Sequence, residues 1–145
     1  MYNADSVNPQ LKTEGKVFLD GEELFYATKV SIKATLTNAK SKPLGSKTSK
    51  SRNVGYELAT EITGYKVNPF GANILKKYID KGITPTFTIQ ALNNDKNSDF
   101  FNKYGNDVIT VTGAVLSGDI TLIDLDASAT DYVQETLKFE GHRFA

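Results

Sequence analysis

Two stretches of the chain alternate polar and apolar side chains over a long distance. Residues 24–37 and 54–66 each keep a period of two, which is typical of β-strands with one buried and one solvated face. At about 3.3 Å per residue the first strand would be roughly 46 Å long, whereas strands of about 5–6 residues are common. Because one segment separates the two stretches, we predict that they pair as an antiparallel hairpin.

The polar face of this predicted strand pair carries the first candidate functional residues. They are Lys29, Ser31, Lys33, Thr35, Glu57, Glu61 and Thr63. A register in which paired residue numbers sum to about 90 would place Lys33 opposite Glu57 and Lys29 opposite Glu61, while a slip by one would turn the lysines toward the apolar face. Each exposed ion pair contributes only about 0.2–1 kcal/mol, so we expect these pairs to specify register.

The segment between the two strands, residues 38–53, carries five positive charges and no negative one. The cations are Lys40, Lys42, Lys47, Lys50 and Arg52. We predict a long loop, because Pro43 and Gly45 are turn formers, and loops beyond about 12–15 residues are usually functional or disordered. A solvated loop, a phosphate-binding arm and a segment ordered against another copy all remain open. The third is favoured, since the segment lacks aromatic residues for nucleic-acid stacking and the whole chain is neutral.

The remaining pattern predicts a single mainly β domain. Its elements are a polar arm over 1–14, a hairpin turning at Asp20-Gly21, a helix over 69–81 with Asn68 as N-cap, a strand over 83–91, a loop over 93–106 with one helical turn at 98–101, strands over 107–116 and 120–127 meeting at Ser117-Gly118-Asp119, and a last strand from Asp131 onward. We therefore predict an antiparallel barrel or two-sheet sandwich with one flanking helix.

The composition excludes several classes of protein. A length of 145 residues suits one domain. The absence of Cys excludes disulfides and thiolate sites, and a single histidine excludes a two-His metal site. Seventeen basic and seventeen acidic residues give no global signal of nucleic-acid binding. No signal peptide or membrane-length apolar stretch is visible, so we expect synthesis in the cytoplasm.

Catalytic chemistry finds little support in the sequence. Asp124 and Asp126 share a predicted strand face without a third carboxylate at loop spacing, so we interpret them as solvated strand-end residues. Glu57 and Glu61 would lie roughly 13 Å apart on one strand, too far for a glycosidase pair. His142 has no evident orienting partner and is interpreted as a surface residue. We expect no catalytic residue, no metal and no cofactor.

Several phrases of the sequence resemble one family. They are the hairpin over 15–21, the long strand before 38–53, the strand from Gly55 to Tyr65, the single helix over 69–81 and the C-terminal strand over 136–141. In this layout, which covers nearly the whole chain, the sequence resembles the tail tube proteins of contractile phage tails. The likeness is greatest to the tube subunits of PBSX-like defective prophages and of R-type bacteriocins from Gram-positive bacteria.

The resemblance implies a structural protein rather than an enzyme. Six subunits would form a ring, and rings would stack into a tube inside a contractile sheath. An inner barrel would use residues 24–37, 54–66, 107–116 and 119–127. The seven polar-face residues would line the channel, and segment 38–53 would reach a neighbouring subunit or ring.

The implied partners are other copies of the chain and the sheath, tape measure and baseplate proteins, with DNA only as passing cargo in a true phage. The implied location is a virion tail or tail-like particle, assembled in the cytoplasm of the bacterial host. Two other functions remain open. A type VI-like secretion tube would share the architecture. A monomeric β-sandwich that binds carbohydrate or peptide would instead use exposed loop aromatics, for which the candidates are Phe100, Phe101 and Tyr104.

Overall fold

A computed structural model describes residues 7–24 and 26–145. These residues form, in order, β1 Gly15–Leu19, β2 Glu22–Glu23, β3 Ala27–Ser41, β4 Lys50–Tyr65, α1 Phe70–Lys81, β5 Phe87–Asn93, α2 Asp99–Tyr104, β6 Asp107–Ser117, β7 Gln134–Gly141 and β8 Arg143–Phe144. The predicted antiparallel β fold with a flanking helix is confirmed, and α2 corresponds to the predicted helical turn. Residues 1–6 of the predicted arm, and Phe25 within the predicted first long strand, lie outside the described residues.

The strands form one continuous antiparallel arrangement in the order β2-β1-β5-β6-β7-β4-β3, and β8 pairs with β6. The bend that folds this arrangement over lies in β6. Its first part pairs with β5, while Val115–Ser117 pair with β7. Gly113 lies at the bend with φ +67°, and a Cβ added there would be 2.9 Å from the Cβ of His142. Glycine is therefore the residue that allows β6 to belong to both halves of the sheet.

The core lies between the two halves of the folded sheet. One half contributes Val17, Ile89 and Val111, the other contributes Leu58, Ile62 and Phe139, and Ala114 lies near the bend. Helix α1 packs at one side through Phe70, whose ring centroid is 5.4 Å from that of Phe87. Phe87 in turn meets Phe139 edge-on at 5.9 Å. The helix thus covers one part of the apolar sheet face and leaves the long strands uncovered elsewhere.

The helix and the first hairpin form close to where they were predicted. Helix α1 ends at Gly82, which adopts the left-handed conformation. The predicted N-cap was wrong by one residue: Pro69 occupies that position, while Asn68 accepts a hydrogen bond from the Phe70 amide through its Oδ1 at 3.2 Å. Asp20 and Gly21 both have positive φ, as the predicted tight turn requires.

The predicted strand over 120–127 and its hairpin at Ser117-Gly118-Asp119 are wrong. Residues 118–133 contain no strand, and the place beside the end of β6 is taken by β7. Two other strands begin later than predicted, at Phe87 instead of residue 83 and at Gln134 instead of residue 131.

The predicted polar arm is docked where the structure describes it. The Asn8 amide donates to Asp99 Oδ2 at 2.9 Å, and the Leu11 amide donates to the buried Asp95 at 3.2 Å. Asn93 Nδ2 donates back to the Leu11 carbonyl at 3.0 Å. Residues 8–11 are therefore held against the loop between β5 and α2.

Candidate functional site

The seven candidate residues predicted on the polar face do share one face of the β3–β4 pair. Thr35 lies opposite Glu57, Ser31 opposite Glu61, and Lys29 opposite Thr63. The other face carries the buried Leu58, Thr60 and Ile62 of β4. The face is therefore mainly polar and is separated from the core by the thickness of one sheet.

The predicted register is wrong by two residues. Lys33 faces Ala59, not Glu57, and Lys29 does not face Glu61. A shift of two keeps the seven candidate residues on their predicted face, since alternate residues share a face. Glu57 and Glu61 become the diagonal neighbours of Lys33, within reach of its long side chain.

Strand β7 extends the polar face, although the resemblance implies an inner barrel that does not include it. Lys138 lies opposite Glu61, with its Nζ 4.0 Å from Oε1. Thr136 lies opposite Thr63, and their hydroxyls are 3.0 Å apart. Glu140 lies opposite Ala59. The alternation of polar and apolar residues over 134–142 is the sequence signal for this polar face. The barrel implied by the resemblance uses residues 119–127 in the place that β7 occupies.

The charges on this three-strand face balance. It carries three lysines and three glutamates, namely Lys29, Lys33, Lys138, Glu57, Glu61 and Glu140. Hydroxyl side chains fill positions between them. Such a surface has no net charge with which to retain a polyanion.

Segment 38–53 is a projecting hairpin and not the long loop that was predicted. Strand β3 continues to Ser41 and β4 begins at Lys50, so only residues 42–49 form the loop. Strand β7 pairs with β4 only from Leu58 onward, so β3 is the only partner of β4 along this hairpin among the described residues. We call residues 38–53 the hairpin arm.

The five candidate cations all lie on the hairpin arm. Lys40 and Arg52 are on its two strands, opposite Ser51 and Ala39, and Lys50 begins β4. Lys42 and Lys47 are in the loop, and all five side chains are exposed. Because no anion shares the arm, its positive charge is uncompensated locally.

The outer edge of β3 is open. Within the described residues this 15-residue strand pairs only with β4. An open cleft of about 1020 Å³ separates it from β1, β5 and β6. Apolar residues along the cleft include Val17, Leu24, Val30, Ile32 and Ile109. A long strand edge beside an unfilled cleft is a surface to which another chain can add.

The other candidates do not form a site. Asp124 and Asp126 lie in the exposed segment 118–133, and hydrogen bonds from Ser128 lower the pKa of Asp126. The side chain of His142 is exposed, as predicted. The described residues contain no group of three His, Asp or Glu side chains that could hold a metal ion. No helix in the same part of the chain is both long and apolar enough to cross a membrane.

The three loop aromatics belong to α2 and do not form a joint exposed platform. Phe101 is half-buried, and its amide donates to Ser98 Oγ, the cap of this short helix. Phe100 stacks at an angle on Tyr104, with centroids 5.2 Å apart. The Lys103 ammonium lies 5.4 Å from the centre of the Tyr104 ring. These contacts are explained by local packing of α2.

One carboxyl group is buried beneath α1. Glu135 is 8% exposed, and its Oε2 has no hydrogen-bond partner among the described residues. Burial raises the pKa of this carboxyl, and the positive charge of Lys66 opposes that shift. Lys66 itself donates to the carbonyls of Leu122 at 2.6 Å and Thr121 at 3.3 Å.

Comparison with known proteins agrees with this architecture. The chain is 26% identical over 119 residues to the phage-like element PBSX protein XkdM of Bacillus subtilis (strain 168), covering 81% of this chain and 78% of that protein. Its fold matches a chain of the PVC extracellular contractile injection system sheath-tube complex with TM-score 0.69 at 12% identity, covering 100% and 97% of the two chains. It also matches a chain of the six-fold symmetrised anti-feeding prophage baseplate with TM-score 0.62 at 11% identity, covering 100% and 96%. Residues 7–144 match the family described as phage tail tube protein, and the chain therefore belongs to that family.

Proposed function

We propose that this protein is a structural subunit of the inner tube of a contractile phage tail or phage-tail-like particle. Six copies form a ring, rings stack around a central channel, and the subunit catalyses no reaction. The observation that carries the proposal is the open edge of β3, which is 15 residues long. A monomeric protein would shorten, bend or cover such an edge.

Ring closure supplies the missing partner of β3. In a head-to-tail ring the free edge of β3 in each subunit meets a different surface of the next subunit, so every β3 gains a neighbour. The cleft beside β3 gives room for part of the neighbouring subunit. The six-fold symmetry named for the anti-feeding prophage baseplate supports a ring of six.

The polar face of β3, β4 and β7 lines the channel in this proposal. The lining residues are Lys29, Ser31, Lys33, Thr35, Glu57, Glu61, Thr63, Thr136, Lys138 and Glu140. Their balanced charge lets a nucleic acid or tape measure protein pass without strong retention. The sheath surrounds the outer surface, and the baseplate receives the end of the tube. Assembly takes place in the cytoplasm of the bacterial host.

Electron microscopy of the purified protein tests this function. We expect rings or tubes in negative stain at high protein concentration. Light scattering should give a ring mass six times that of a single chain. Hydrogen exchange of the same sample gives a second readout. Amides of β3 that point away from β4 exchange freely in the monomer and become protected in the ring. A monomer at all salt and protein concentrations would contradict the proposal.

Images of particles released by the producing bacterium distinguish the classes of injection machine. A sheathed tail with a capsid identifies a phage, and a sheathed tail alone identifies a bacteriocin-like particle. An assembly that stays bound to the cell envelope, with no particle released, would favour a type VI-like tube. In the first two, antibodies against this chain should label the core that protrudes from a contracted sheath.

A further inference from the structure

The hairpin arm and the segment over 118–133 hold opposite and uncompensated charges. The arm carries five cations and no anion. Residues 118–133 carry four aspartates and no cation, and we call them the acidic segment. Its anions are Asp119, Asp124, Asp126 and Asp131. Although the whole chain is neutral, each of these two segments carries charges of one sign only.

Both segments are exposed and lack internal ion pairs. All five cations and all four aspartates have exposed side chains, and in the described part of the chain none of them takes part in a salt bridge. Apolar side chains accompany the charges on each. Leu44 at the tip of the arm is fully exposed, while Ile123 and Leu125 of the acidic segment are 74% and 82% exposed. The two surfaces therefore carry opposite charges, and both expose apolar side chains.

The arm cannot reach the acidic segment of its own subunit. It lies at the N-terminal end of β4, whereas the acidic segment is tied to the C-terminal end. Lys66 Nζ donates to the Leu122 carbonyl, the Lys66 amide donates to the Val133 carbonyl at 3.0 Å, and the Tyr132 ring lies edge-on to Tyr65. Arg52 and Lys66 are separated by about 45 Å of extended strand.

We propose that the hairpin arm of one copy binds the acidic segment of a copy in the next ring of the tube. This inference rests on the tube function proposed above and names the surfaces that join successive rings. The bound partner is a second copy of this chain, recognised through Lys and Arg against Asp and through Leu44 against the exposed aliphatic residues. Because each copy has an arm at one end and an acceptor at the other, the contact is heterologous and propagates along the tube axis.

Paired charge reversals test the contact. The arm-reversed variant carries Lys42→Glu, Lys47→Glu and Lys50→Glu. The segment-reversed variant carries Asp119→Lys, Asp124→Lys and Asp131→Lys. Asp126 is left unchanged because its carboxylate accepts hydrogen bonds from Ser128. A matched control reverses three exposed lysines of α1, Lys76, Lys77 and Lys81.

Each reversed variant alone should form rings but stack them into tubes only at a higher protein concentration than wild type. Like charges then face each other at every arm, and six arms act per ring, so the concentration needed for tubes should rise about tenfold or more. The α1 control should form tubes at the wild-type concentration. Sedimentation measures tubes, light scattering measures rings, and circular dichroism melting verifies folding of each variant.

Mixing the two reversed variants gives the deciding result. The reversed arm of one complements the reversed segment of the other, so an equimolar mixture should form tubes with alternating rings. A chain carrying all six substitutions should also assemble with itself. The inference would be overturned if neither the mixture nor the chain with six substitutions formed tubes. It would also be overturned if either reversed variant alone lost its rings or formed tubes at the wild-type concentration. A wild-type chain that never forms rings would instead contradict the tube function itself.

Discussion

Lys138 lies directly opposite Glu61 across the β4–β7 pair, with its Nζ 4.0 Å from Oε1. On its other side Glu61 faces Ser31 of β3. Glu61 thus has a directly opposite neighbour on each of the two flanking strands, at the middle of the polar face. Both charged side chains are about half exposed, 50% and 49%, so the contact contributes at most about 1 kcal/mol. Its larger effect is on the charge balance of the face.

Exchanging these two charges should restore what either substitution alone removes. We expect Lys138→Glu to lower the free energy of unfolding by less than about 1 kcal/mol, because it places like charges opposite each other. The double variant Glu61→Lys/Lys138→Glu should be more stable than Lys138→Glu alone, because it restores opposite charges at this pair. Urea unfolding of the four proteins in a double-mutant cycle measures the coupling. A double variant no more stable than Lys138→Glu alone would contradict the pairing.

Reversing Lys33 should impair assembly more than reversing a helix lysine. Lys33 faces Ala59, with Glu57 and Glu61 as diagonal neighbours, so Lys33→Glu gathers three carboxylates on one patch. Each like-charge contact opposes strand pairing by about 0.2–1 kcal/mol. Lys76 on α1 is exposed and is the matched site. Sedimentation should show a higher concentration threshold for Lys33→Glu, and equal thresholds for the two variants would exclude this role of Lys33.

Gly141 is required where the two halves of the sheet meet. A Cβ at this position would overlap the Cγ1 of Val111 and lie 3.3 Å from the Cβ of Leu58. Both neighbours are buried, so neither can move without repacking the core. We expect Gly141→Ala to destabilise the monomer by about 1–3 kcal/mol. Gly55→Ala is the control, since only Thr37 Cβ lies near that site, at 3.9 Å. Similar urea midpoints for both variants would contradict this packing.

The sequence predicts the long strand pair and its faces but not its register. The period of two identifies the faces because burial imposes it on every second residue. The register of β3 and β4 depends instead on irregularities, which occur between Ala27 and Lys29 and between Thr37 and Asn38. A bulge adds one unpaired residue to one strand, and the alternation within each regular stretch does not show which residues of the two strands pair. Lysine–glutamate pairing was too weak a guide to decide between registers of equal parity.

The wrong strand over 120–127 has a different cause. Alternation there resembles that of a strand, but a strand also needs a free neighbour in the sheet, and β7 occupies the place beside β6. Gly118, with φ +72°, turns the chain away at that point. The hairpin arm shows the opposite error. Pro43 and Gly45 indicate a turn. The residues around them are polar because both faces of the paired strands are exposed, so no alternation marks these strands.

The buried carboxyl of Glu135 should make stability depend on pH. Its pKa is raised in the folded protein above the ordinary value of 4.5, mainly by burial. The folded state therefore holds this proton more tightly than the unfolded state, and stability falls as pH rises from about 4.5 through the raised value. Below the ordinary value the carboxyl is neutral in both states and its favourable contribution is fully present.

Glu135→Gln should remove this dependence. We expect the variant to be more stable than wild type at pH 7 by about 1 kcal/mol. The wild-type protein must bury an ionised carboxylate at this pH, whereas the amide of the variant is neutral. The difference should vanish at pH 4. Glu140→Gln, an exposed residue of the same strand, is the control and should follow the wild-type profile. Thermal melts across this pH range measure both, and a Glu135→Gln profile parallel to wild type would contradict the prediction.

Removing the exposed leucine at the tip of the arm should affect tubes without affecting folding. Leu44 has no neighbours to lose within its subunit, so Leu44→Ser should change the free energy of unfolding by less than about 0.5 kcal/mol. In the tube the same side chain is buried against the acidic segment of the next ring, where a leucine contributes about 1.5–3 kcal/mol. The concentration threshold for tubes should therefore rise about tenfold or more. Leu125→Ser should raise it similarly, and the double variant should add little, because the two residues share one contact. Ile79→Ser on the exposed face of α1 is the control. Independent, additive effects of Leu44→Ser and Leu125→Ser would show that the two side chains pack against different partners.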